Sequence, residues 1–397
     1  MTRLLPVLWV AFALNYIDRQ MVYSMLPALT RDLGFTPAGL AWIGTLFLWT
    51  YTLAMPVAGA LSDRWRRDRM IVWSLVLWSM ATLGCGLANS PAVFQGWRAF
   101  MGLSEAMYYP TAMALIASLV PDAQRSRALG IHQSAQFAGI VMGGFYGGWA
   151  ADNTGWRWAF WIAGGLGVAY SLILGRVLPE NRAQRVEKRE GRLEWSACFL
   201  TLAGMFAAFC SMLWVFFAWF PTFLQERFGL SMTDSGWNAT AFTQGATIVG
   251  ILLGGALADQ LRKTVSKARL YVAAAGVFFA APFAYLAFSA STLNEARLYS
   301  VCFGLFAGCL SANAFAAAFE LFPDGARGLV AGVLNGVGGV ASGGMILLAG
   351  LYKDQWGFGT MLGWTAGAAM ILSAVLAKLA QEVRLTSCDV ELSSKRA

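Results

Sequence analysis

The sequence predicts an all-α membrane protein of twelve transmembrane helices arranged as two pseudo-symmetric six-helix bundles. Three observations carry this. Apolar runs of about 20 residues, the length needed to cross a hydrocarbon core of about 30 Å, recur from end to end of the chain. The composition agrees: of 397 residues 58% are hydrophobic and 13% charged, with a mean hydropathy of +0.56. Finally, sequence features of the first half return in order in the second, the mark of an internal repeat.

Taken in order, the first run, 4–29, holds Asn15-Tyr16-Ile17-Asp18-Arg19 near its middle and lacks a small-residue cleavage site, so it is expected to be retained as a helix. The second, 38–62, closes on Gly59-Ala60-Leu61-Ser62-Asp63 and a basic loop, and the third, 70–89, is plain apolar sequence. The fourth, 92–120, carries Arg98, Gly102, Glu105-Ala106 and Pro110. The fifth, 128–151, is rich in glycine (Gly139, Gly143, Gly144, Gly147 and Gly148), which permits close helix approach. The sixth, 157–178, follows Gly155-Trp156-Arg157-Trp158. A charged stretch, 179–195, then divides six runs from six, giving a bundle over 1–178, a cytoplasmic linker and a bundle with a short tail over 196–397. The seventh run, 196–226, ends near Trp219-Phe220-Pro221-Thr222-Phe223-Leu224, and the eighth, 236–261, ends on Gly255-Ala256-Leu257-Ala258-Asp259. Runs at 268–290, 295–322, 328–352 and 358–383 complete the set. The repeat is visible in three places, each pair roughly 200 residues apart. Gly59–Asp63 returns as Gly255–Asp259, Pro121-Asp122-Ala123-Gln124-Arg125 as Pro323-Asp324-Gly325-Ala326-Arg327, and Gly143-Gly144 as Gly343-Gly344.

The net charge of +8 does not point to nucleic acid, because the basic residues mark topology. Arg64, Arg66, Arg67, Arg69, Arg125, Arg127, Arg182, Arg185, Arg262, Lys263, Lys267 and Arg269 fall on one set of alternate connections, and only Arg31, Arg157, Arg227, Arg297 and Lys353 on the other. Under the positive-inside rule both termini are cytoplasmic. The six cysteines have no metal-like spacing and read as packing residues. The single histidine, His132, reads as a surface or packing residue rather than a proton carrier. No nucleophile, metal or phosphate-binding motif stands out, so an enzyme and a cofactor are not expected.

The loop after the second run resembles the signature of the major facilitator superfamily, through Gly59, Leu61, Asp63, Arg64 and Arg67, with Arg66 where that signature usually has glycine. The resemblance implies a gating latch built on Asp63 and a helix N-terminus. Across nearly the whole chain the markers of runs one, four, six and seven are similar to those of the anion:cation symporters, which include sugar-acid transporters and sialin. Lysolipid-transporting spinster proteins share the markers of runs one and four. The resemblance implies substrate binding near the midplane between two six-helix repeats, in a monomer of the bacterial inner membrane.

Asp18, Arg19, Arg98 and Glu105 are charges inside membrane helices, each costing about 2.5–3.5 kcal/mol to insert at a helix centre, and such charges are usually paired and functional. Residues three, four and seven apart share a helix face. Asn15, Asp18 and Arg19 therefore stand together on the first helix, and Arg98 and Glu105 on the fourth. Two cations and two carboxylates sum to zero, which suits a low-dielectric site. An added organic anion makes the site net negative unless a carboxylate takes a proton, so anion and proton favour each other. Asp18 and Glu105 are the expected proton-coupling groups, and the matching carboxylates of galactonate-type transporters imply the same. Arg19 and Arg98 are the expected charge network, with a planar fork suited to a carboxylate ligand.

Tyr16, Tyr51, Gln133, Gln136, Asn313 and Asn335 are polar candidates for substrate contact, with interhelical hydrogen bonding the alternative for each. Gln136 and Tyr51 match ligand-facing positions in the sugar-acid transporters. Glu320 reads as structural or gating. The expected function is import of a small organic anion, a sugar acid or other carboxylate, with protons. A spinster-type lysolipid transporter and a transporter-like ligand sensor are the rivals.

Overall fold

A computed structural model describes residues 4–181, 195–322 and 326–382. Most of the 179–195 linker, the Pro323-Asp324-Gly325 part of the second repeat motif and the C-terminal tail lie outside the described residues. The described chain is helical: α1 (Leu4–Ser24), α2 (Leu26–Leu33), α3 (Pro37–Ser62), α4 (Arg67–Leu87), α5 (Pro91–Glu105), α6 (Tyr108–Leu119), α7 (Asp122–Asn153), α8 (Trp156–Val177), α9 (Ala197–Phe228), α10 (Met232–Leu261), α11 (Ala268–Ala287), α12 (Leu293–Phe319) and α13 (Arg327–Glu382).

These elements reduce to the twelve predicted spans for local reasons. The first span is α1 continued by α2, interrupted at Met25 two residues before Pro27. The fourth is α5 continued by α6, interrupted at Ala106–Met107. Pro110 explains that break, because its ring clashes with the carbonyl of the residue four before it, here Ala106. The eleventh and twelfth spans run together as α13, with Gly357 at φ 72 and ψ 153 marking the turn between them. Only glycine adopts such a conformation without strain. Eight of the described helices are long and apolar enough to cross a membrane, α13 among them.

The chain forms two compact units. One takes residues up to 186 together with 217–241 and 346–351, and the other takes 187–216, 242–345 and from 352 onward.

In the first unit, α7 packs on α1 along the stripe Gly139, Gly143 and Gly147. A Cβ at Gly139 would stand 2.6 Å from the Ala13 carbonyl oxygen, and one at Gly143 2.8 Å from that of Ile17. The opposite glycines of α7 face α10: a Cβ at Gly144 would stand 2.8 Å from the Gly236 carbonyl oxygen. At the end of this seam the Asp152 carboxylate accepts from the Thr233 backbone N–H at 2.8 Å and from its hydroxyl at 2.6 Å, capping the start of α10.

Inside the second unit Asn313 donates to the carbonyls of Gly254 at 3.1 Å and Cys309 at 2.9 Å, tying α12 to α10. Near one end of the same helices Glu320 accepts from Arg269 at 3.2 Å, with Arg262 3.8 Å away, and Arg269 also stands 3.6 Å from Asp259. The second copy of the repeat motif thus ends in an ion-pair cluster.

Candidate functional site

The four intramembrane charges converge in the first unit where α1, α3, α4 and α5 meet. All are buried: Asp18 is 3% exposed, Arg19 4%, Arg98 0% and Glu105 1%. Close approach of α3 to α5 builds the site. Gly102 faces the Phe47 carbonyl and the Thr50 hydroxyl with no room for a Cβ, and that hydroxyl lies within hydrogen-bond distance of the Ala99 carbonyl at 2.9 Å as well as the Leu46 carbonyl of its own helix at 2.7 Å. That approach sets Phe47 and Tyr51 against the α1 charges.

Arg19 is the hub. Its Nη2 donates to Glu105 Oε2 at 2.7 Å and to Asn15 Oδ1 at 3.3 Å. Its guanidinium carbon lies 4.6 Å from the ring centroid of Tyr16, 4.8 Å from Phe47 and 4.7 Å from Tyr51. A cation among three ring faces is held electrostatically, by about 2 kcal/mol or more when desolvated. Glu105 sits at the last residue of α5, where the Pro110 break ends the helix.

Arg98 and Asp18 are joined differently. Arg98 Nη1 donates to the backbone carbonyl of Asp18 at 3.4 Å and contacts Met101 Sδ at 3.1 Å; the Tyr23 hydroxyl stands beside the guanidinium, and among the described residues Nε and Nη2 make no close hydrogen bond. Phe47 covers this guanidinium too, at 4.8 Å. The Asp18 carboxylate makes no ion pair among the described residues. Its Oδ2 accepts a hydrogen bond from Thr82 Oγ1 of α4 at 3.1 Å.

The expected polar contacts are distributed unevenly. Tyr16 and Tyr51 belong to the cluster as the rings over Arg19. Gln133 donates to the Tyr109 hydroxyl at 2.9 Å, and Tyr109 stacks on Phe12 at 5.8 Å, so both join the aromatic floor below Tyr16. Gln136 is half-buried on α7. Asn313 and Asn335 belong to the second unit, the first in the interhelical hydrogen bonds described above and the second exposed on α13. His132 is fully buried, 4.6 Å from Phe12 and stacked on it, so it is no surface residue.

In the loop between α3 and α4, Gly59 accepts the Asp63 N–H at 3.2 Å, and the side chains of Asp63 and Arg64 are exposed. Arg67 reaches the Ser62 carbonyl and Asn181 Oδ1, both at 3.4 Å. Arg66, at the position that departs from the superfamily signature, makes the strongest contacts there: Asp68 at 2.7 Å and Glu180 at 3.0 Å.

Sequence reasoning missed Thr82, Phe47 and Met101. Phe47 had a signal, standing four residues before Tyr51 on one face of a helix. Thr82 had none, because nothing local marks which threonine of an apolar helix meets a distant carboxylate.

Comparison with known proteins bears on the family and the fold. The family model described as Major Facilitator Superfamily matches residues 8–344, with a second match over 204–386. The D-galactonate transporter of Escherichia coli O6:H1 is 26% identical over 92% of both chains. Spinster homolog 1 of Bos taurus is 30% identical over 69% of this chain and 57% of that protein. Among solved structures, a bacterial homolog of the human lysosomal transporter spinster, inward-facing and occupied, superposes with a TM-score of 0.82 at 19% identity, covering 96% of this chain and 97% of that one.

Proposed function

The chain belongs to the Major Facilitator Superfamily, and from that premise we propose that it is a proton-coupled symporter of a small organic anion. The supporting observation is the unequal pairing of the buried quartet. Arg19 and Glu105 form a direct ion pair through one donor and one oxygen, whereas Arg98 and Asp18 balance each other in charge without an ion pair between their side chains. A proton on Asp18 leaves the Arg98 cation uncompensated, with its Nε and Nη2 nitrogens engaged by no carboxylate. An organic carboxylate supplies the missing charge and fits a guanidinium fork. Proton and anion each lower the cost of the other, which is reciprocal coupling. Phe47 and Met101 cover Arg98, so the anion reaches it only when these side chains move. That requirement suits an alternating-access cycle between the 1–178 and 196–397 repeats, in the bacterial inner membrane with both termini cytoplasmic. A sugar acid is the substrate class favoured by the likeness to the galactonate transporter.

The experiment is uptake into proteoliposomes of a panel of radiolabelled sugar acids and other organic anions under an imposed pH gradient. In Asp18→Asn, gradient-driven accumulation is expected to fall roughly 5- to 150-fold, the span of typical coupling energies, while exchange of bound substrate persists. Glu105→Gln, which can keep a hydrogen bond to Arg19 but removes its counter-charge, is expected to lower accumulation. Accumulation indifferent to the gradient in the parent protein, or undiminished in both variants, would sink the reading.

One observation favours a second reading. A groove of about 660 Å³ between α3, α4 and α5 is lined by Leu53, Val57, Leu61, Phe100, Leu103 and Met107, with Leu53 71% and Val57 61% exposed. Such a groove suits an acyl chain, as in transport of an amphiphile. Lysophospholipid movement across the vesicles, with no anion of the panel accumulated, would select it.

A further inference from the structure

Thr82 is fully buried on α4, and its hydroxyl lies within hydrogen-bond distance of two acceptors, Asp18 Oδ2 at 3.1 Å and the Trp78 carbonyl at 3.0 Å. A hydroxyl has one proton to donate and lone pairs to accept with. It serves one of these acceptors at a time. When Asp18 is ionised, the hydroxyl proton goes to the carboxylate, because hydrogen bonds to charged groups are roughly twice as strong as neutral ones. When Asp18 is protonated, the acid becomes the donor, Thr82 accepts from it, and the threonine proton turns to Trp78.

We infer that Thr82 is a positioning residue that converts the protonation state of Asp18 into a change in α4. The inference rests on the reading of Asp18 as the proton site. A threonine bonded back to the carbonyl four residues earlier tends to bend a helix. Here the bend falls at Trp78, which is fully buried with its indole edge-on to Tyr108 at 5.5 Å. Tyr108 opens α6 and donates its hydroxyl to the Leu8 carbonyl of α1 at 2.8 Å. The contact chain thus runs from the carboxylate through α4 to the segment of the fourth span that starts just beyond Glu105. The two-state element in it is a single hydroxyl rotor, which supplies a physical basis for coupling beyond mere adjacency.

The titratable and charged groups facing Asp18 are Cys85 from α4, Arg98 and Glu105 from α5, and Tyr146 from α7. None of them hydrogen-bonds its carboxylate, so Thr82 alone among the described residues can report its proton by donor exchange.

The test is the pH dependence of substrate uptake in proteoliposomes for the parent, Thr82→Val, Thr82→Ser and Asp18→Asn. Valine keeps the shape and removes the hydroxyl, so ionised Asp18 loses its donor. The pH of half-maximal uptake is expected to rise by about one unit, a tenfold change in proton affinity. Serine keeps the rotor and is expected to restore the parental midpoint. A merely structural role for Thr82 would lower folded yield in Thr82→Val and leave the midpoint in place. An unchanged midpoint in Thr82→Val, with coupling abolished in Asp18→Asn, overturns this inference and leaves the proton site standing. Coupling retained in Asp18→Asn overturns the proton site itself. Should Thr82→Val not fold, Thr82→Cys, whose thiol is a weak donor of similar bulk, is read in the same way.

Discussion

A buried arginine can be held by a carboxylate, by aromatic faces or by backbone carbonyls, and the two arginines of this protein divide these options. Arg19 takes the carboxylate and three rings, while Arg98 takes a carbonyl, a thioether and one ring. Removing one partner of a buried ion pair costs about 3–5 kcal/mol, because the other charge is left uncompensated. Glu105→Ala is therefore expected to be more damaging to thermal stability in detergent than Glu105→Gln, whose amide oxygen still accepts from Arg19. Equal melting points for the two would show that the pair contributes little. A further carboxylate, Asp32 at the exposed end of α2 past the apolar run 4–29, makes a pH-dependent prediction. The hydrogen bond from Arg31, helped by that from Trp156 Nε1 at 3.0 Å, holds its carboxyl below the usual carboxylate range despite some burial. A depressed carboxyl stabilises the fold fully above its unfolded value of about 3.9, and this contribution is lost as pH falls through the lower folded value. Asp32→Asn is expected to flatten the acid limb of a stability curve measured between about pH 5 and pH 2. A superimposable limb would dismiss the contact as a contributor.

At the scale of elements, glycine sets which helices touch. The α7 stripe of Gly139, Gly143 and Gly147 brings the α1 backbone close, and the same helix offers Gly144 and Gly148 to α10. Gly143→Leu introduces bulk where the Ile17 backbone already stands, and overpacking of this kind costs about 1–3 kcal/mol. Because Ile17 adjoins Asp18, the substitution is expected to lower both thermal stability and uptake, read by melting in detergent and by transport. Asp152 terminates the α10 seam as a helix cap, and Asp152→Ala should destabilise that seam by about 1 kcal/mol, in line with caps elsewhere. Hydrogen exchange at the first turn of α10 checks it, and unaltered protection there would show the cap to be idle. The runs 4–29 and 92–120 read as continuous, although a proline accounts for the break in each: Pro110 ends α5 beside Glu105, and Pro27 separates α2 from α1. The glycine stripes were legible as packing surfaces, yet their partners were not, because a stripe of small residues fits any helix that presents a backbone. The α3–α4 loop shows a choice of partners of the same kind. The strongest loop contacts belong to Arg66, the residue at which the family pattern is broken, and to Asp68 and Glu180.

For the whole molecule, the proposed coupling predicts a reciprocal event that needs no gradient. Adding the transported anion to purified protein in weakly buffered detergent solution should draw protons from the medium, seen with a pH-sensitive dye, and Asp18→Asn should not respond. Anion binding without proton uptake in the parent protein would refute the linkage. The number of spans, most of their ends to within a few residues, the repeat and the four charges placed in membrane helices were readable along the chain, the start of α7 falling six residues before the 128–151 run. Those features follow from hydropathy and from the helical period, which act along the chain. Only the tertiary structure decided the pairing: Arg19 with Glu105 of another helix rather than its neighbour Asp18, and Asp18 with Thr82. Helical spacing fixes which residues share a face, whereas the rotation and depth of one helix against the next come from backbone approach at positions such as Gly102 and Gly143, set by residues far apart in sequence.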